Sequence, residues 1–60
     1  MSVDRVWEGY GWTITAFDHA RDELTILMPV AGYGGRFDLA EVARFTAALE
    51  QAVAWQRRRS

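Results

Sequence analysis

The sequence predicts an α+β domain, a three-stranded antiparallel β-meander followed by one C-terminal amphipathic α-helix packed on one sheet face (βββα). Three observations predict it. Three runs rich in β-formers lie at about 3–8, 12–17 and 23–30. Short polar or glycine-bearing stretches separate them, and a capped run with helical apolar spacing fills about 38–57. The sixty residues read as one domain, without a linker, a repeat or a low-complexity tract.

The first strand, Val3 to Glu8, ends at Gly9-Tyr10-Gly11, and the second, Trp12 to Phe17, is almost entirely β-branched or aromatic. Two turns fit the glycines. A three-residue loop with Gly11 left-handed sets Glu8 opposite Trp12, Val6 opposite Ile14 and Trp7 opposite Thr13. A two-residue Gly9-Tyr10 loop sets Trp7 opposite Trp12 and turns the first strand over. Asp18 to Asp22 is a polar connection. The third strand, Glu23 to Val30, puts Leu24, Ile26 and Met28 on one side. A five-residue connection pairs Ile14 with Ile26 and Trp12 with Met28, and Pro29 marks a sheet edge. Ala31 to Phe37 crosses to the helix.

The helix opens with Asp38 and, three residues on, Glu41. In this capping-box pattern Asp38 accepts from first-turn N–H groups and Glu41 reaches back to the cap, while Phe37 staples onto Val42. Leu39, Val42, Phe45, Thr46, Leu49, Ala52, Val53 and Gln56 share an arc of about 140° and form the predicted buried stripe. Arg57, Arg58 and Arg59 complement the negative end of the helix dipole. Trp55 falls outside the stripe. It either folds back on its own domain over an arginine stem or anchors a second chain.

With the three-residue turn, one sheet face matches the helix and the other carries Val3, Arg5, Trp7, Thr13, Thr15, Phe17, Thr25 and Leu27. That second face is too apolar for a sheet open to water, and a single helix cannot cover both. Burial of each large apolar side chain is worth roughly 1.5–3 kcal/mol. A domain this small is marginal, and with no cysteine it has neither a disulfide nor a thiolate metal site to reinforce it. Self-association is therefore the expected remedy, through Val3, Arg5, Trp7, Thr15, Phe17, Leu27 and Trp55.

Composition narrows the function classes. Net charge is −1, so no overall field draws in nucleic acid or anionic lipid. No apolar core follows a basic start and no apolar run spans a bilayer, which places the chain in the cytoplasm. All seven basic residues are arginine, a skew that speaks of genome composition more than activity.

Chemical motifs are weak. Gly32-Tyr33-Gly34-Gly35-Arg36 lies between strand and helix, but the spacing is not G-x-G-x-x-G, and Asp38 sits where a phosphate would bind. Asp18, His19, Asp22 and Glu23 read as a solvated turn rather than a cation site. The serines and threonines stand in no triad or elbow, and position 2 is Ser, not the proline of small tautomerases. No catalytic residue, cofactor or metal ligand is therefore assigned. The reading is a non-enzymatic protein-interaction module, homodimeric or bound to another protein, such as an adaptor, inhibitor or accessory subunit of a phage or mobile element. The alternative is a small nucleic-acid-binding regulator that stacks bases on an Arg5/Trp7/Phe17 face.

Overall fold

The computed structural model describes residues 4–28 and 38–59. Three antiparallel strands form one sheet in the order β1-β2-β3: β1 Arg5–Gly9, β2 Trp12–Ala16 and β3 Thr25–Leu27. A single helix, α1 Leu39–Arg59, follows and packs against the sheet. The expected βββα architecture is the observed one. Val3, Pro29, Val30, the Phe37 staple and the Gly32–Arg36 stretch lie outside the described residues.

The first hairpin adopts neither expected register. Gly9 pairs with Trp12, Trp7 with Ile14 and Arg5 with Ala16, leaving a two-residue loop of Tyr10 and Gly11. Two glycines explain the choice. Gly11 has φ 82°, a left-handed value that carries no Cβ penalty only in glycine. Gly9 lies beneath the Trp12 indole, and a Cβ there would come within 2.1 Å of the ring. Only a residue with no side chain fits opposite Trp12. Relative to the three-residue turn β1 is turned over, the facing that the two-residue alternative expects, so Arg5 and Trp7 lie on the helix side while Val6 and Glu8 lie on the other.

The second hairpin has the expected register, with Ile14 opposite Ile26. β2 ends earlier and β3 begins later than expected because two successive turns take up the connection. Ala20 N donates to Phe17 O and Glu23 N to Ala20 O, each at 3.2 Å.

The helix is rotated from its expected orientation. Of the expected stripe, Ala52 and Gln56 are buried and Phe45 and Leu49 pack on the core, but Ala48 joins them from outside it, while Leu39 is 88% and Val42 44% exposed. The sheet gives the reason. Trp12 and Trp7 fill the layer between sheet and helix, and Trp12 meets Phe45 edge-on at 5.2 Å, so small residues must complete the contact. Ala48 and Ala52 supply them, over a core of Trp12 and Ile14 flanked by Leu24, Phe45 and Leu49.

Both helix ends are fixed by polar contacts. Asp38 caps the first turn, its Oδ1 accepting from Glu41 N at 2.8 Å. Glu41 does not close the capping box. Its Oε2 accepts instead from Trp12 Nε1 at 2.6 Å and from Tyr10 N at 3.0 Å, joining the helix start to the hairpin turn. At the other end the Gln56 amide donates to Ala20 O and Glu23 O at 3.1 and 2.9 Å. Arg59 and Arg21 share the Asp18 carboxylate.

Candidate interaction surfaces

Helix α1 packs on β2 and β1 and does not reach β3. This offset leaves two apolar surfaces uncovered, one on each side of the sheet.

The first is the open sheet face. Register and alternation put Val6, Glu8, Thr13, Thr15, Phe17, Thr25 and Leu27 there. Val6 is 49% and Leu27 65% exposed, while Thr13, Thr15 and Phe17 are half-buried. The Phe17 ring lies 5.1 Å from that of His19.

The second surface runs along α1. Leu39, Val42 and Thr46 are exposed, and Leu49 and Val53 half-buried. These five occupy an arc of about 80°, centred about 120° around the helix from the buried alanines. On the helix side of the sheet, Ile26 and Met28 remain 43% and 42% exposed because α1 stops over β2. Val53 stands between two shallow clefts. One is lined by Leu24, Gln56 and Arg57, the other by Thr46, Leu49, Glu50 and Arg58.

The structure divides the residues expected to share one interface. Thr15, Phe17 and Leu27 lie together on the open face. Arg5, Trp7 and Trp55 gather on the helix side. The Arg5 guanidinium lies 5.0 Å from the Trp7 ring and 4.9 Å from the Trp55 ring, with Arg59 against Trp55 at 5.6 Å. Trp7 Nε1 donates to Gln51 Oε1 at 3.2 Å. Trp55 thus follows the first of its two expected courses, folding back on its own domain.

The base-stacking alternative loses its geometry here. Arg5 and Trp7 face the helix and Phe17 faces away, because the slipped register places β1 residues of the expected set on the opposite side from those of β2. Asp18 and His19, read as a solvated turn, hold the end of α1 through Asp18 and cover Phe17 through His19. Among the described residues, no group of three or more His, Cys, Asp or Glu side chains is close enough to hold a metal ion, and no helix is long and apolar enough to cross a membrane.

The expected interface, built on the three-residue turn, left out Val6 and the outward-facing helix ridge. Val6 depended on a register that the glycines alone leave open. The ridge was visible as an apolar stripe, but only the two tryptophans could say that the alanine face would displace it.

Compared with known proteins, the chain matches no family model, no curated protein and no solved structure.

Proposed function

We propose that this chain is a non-enzymatic protein-interaction module that associates, first with itself, through the open face of its sheet. The observation that carries the reading is the exposure of Val6 (49%) and Leu27 (65%) on the face opposite the helix. Three threonines surround them on β2 and β3. Threonine suits a flat contact, because its methyl packs while its hydroxyl can bond across the joint. A second copy laid on this face would remove the remaining exposed surface of Val6, Phe17 and Leu27 from water, which is worth about half of the roughly 1.5–3 kcal/mol that full burial of each contributes. That gain is large beside the modest stability of so small a domain. The role would be that of an adaptor, inhibitor or accessory subunit acting by occupancy rather than chemistry.

Light scattering over a dilution series tests the reading. Leu27→Glu should lower the mass at a given concentration without altering the far-UV spectrum, since the side chain is already largely in solvent. Trp55→Ala should lower stability and leave the mass alone, because Trp55 packs on Arg5 and Arg59 of its own domain. An unchanged mass for Leu27→Glu at every dilution would remove the open face from consideration.

A further inference from the structure

The outward ridge of α1 combines three properties that single out its occupant. Its apolar residues are spaced alternately by three and four, at Leu39, Val42, Thr46, Leu49 and Val53, the spacing by which one helix seats against another. Its one polar member is already engaged, since Thr46 Oγ1 donates to Val42 O at 2.9 Å. Its two ends carry opposite charge, with Asp38 at the start and Arg57 in the last turn.

We propose that α1 pairs antiparallel, along this ridge, with α1 of a second copy. Centred between positions 47 and 48, the pair sets Val42 against Val53 of the second copy and Thr46 against Leu49. It also brings Asp38 beside Arg57 of the second copy. Val42, Thr46, Leu49 and Val53, spaced by four, three and four, read alike in both directions, and with Asp38 facing Arg57 at either end this part of the ridge is complementary to itself. That is the requirement of a two-fold contact. A parallel pair would stack the arginine-rich ends on one another. Ile26 and Met28, which α1 leaves uncovered, border the same side of the helix and extend the apolar floor.

This contact is separate from the open sheet face. Two distinct two-fold contacts on one chain build assemblies larger than a dimer.

Single-cysteine variants test the pairing directly, because the chain has no cysteine of its own. Thr46 lies near the proposed axis, so Thr46→Cys in one copy meets its counterpart in the other and should oxidise to a linked dimer. Leu39→Cys should not, because the two Leu39 positions fall at opposite ends of the pair, about 25 Å apart at about 1.5 Å per residue. Both sites are exposed, so neither substitution disturbs the core. Linking at both positions would mean a parallel pair, and linking at neither would mean no pair; each overturns the proposal. Repeating Thr46→Cys in a Leu27→Glu background separates the two surfaces. Linking that persists there belongs to the ridge whatever becomes of the sheet-face reading. Linking that disappears shows that the ridge is not a contact in its own right.

Discussion

The Trp12 indole donates to the Glu41 carboxylate at 2.6 Å, and the same oxygen accepts from Tyr10 N. One acidic side chain in the first turn of α1 thus holds both the central strand and the hairpin turn. A hydrogen bond to a charged group is worth about 1.5–3 kcal/mol. Glu41→Ala should cost about that much in urea unfolding followed by far-UV circular dichroism, and Glu41→Gln, which keeps an acceptor, clearly less. Equal losses would mean that the side chain acts only by packing.

Gly9 and Gly11 serve the hairpin differently, and substitution separates their roles. A Cβ at Gly9 would lie within 2.1 Å of the Trp12 ring, a rigid group held by Glu41. Gly9→Ala should therefore cost about 1–3 kcal/mol or more through overpacking. Gly11→Ala meets only the backbone penalty of a left-handed alanine, about 1 kcal/mol. Equilibrium unfolding of the two variants should rank them in that order.

Enlarging Ala48 tests the rotation of the helix, because Ala48 is buried although it lies outside the expected stripe, whereas the neighbouring Ala47 is exposed. Ala48→Leu should destabilise by about 1–3 kcal/mol, and Ala47→Leu should stay within about 0.5 kcal/mol of the parent. If Ala48→Leu were instead neutral or stabilising, the alanine face would not be the one against the sheet.

The last turn of α1 depends on Asp18, whose carboxylate meets Arg59 and Arg21. The Arg59 side chain is only 15% exposed, so its charge keeps part of its desolvation cost when the partner is neutralised. Asp18→Asn should cost about 1–3 kcal/mol. It should also speed amide exchange at residues 55–59 more than at 41–45. Uniform acceleration along α1 would argue against local anchoring.

The element order, the Ile14–Ile26 pairing and the Asp38 cap were legible because each rests on neighbours in sequence or on alternation. The turn at Gly9–Trp12 was not, since three glycine-compatible loops differ by single residues and the choice depends on where the Trp12 ring comes to rest. Helix orientation failed for a related reason. Counting Leu39 and Val42 as core treats a helix as packing on a featureless surface, whereas this sheet presents two indoles and admits alanine. The open face was half legible. Leu27 and Phe17 keep their places in any register of the first hairpin, while Arg5, Trp7 and Val6 exchange sides when β1 slips by one.

All three tryptophans lie on the helix side of the sheet, in contact with Phe45, Arg5 or Arg59. The opposite side has no indole. Intrinsic emission is therefore blind to anything that settles on Val6 and Leu27 while the helix stays seated. A spectral shift on adding a ligand or diluting the sample would report a change on the helix side of the sheet, making the protein its own gauge of which side a contact reaches.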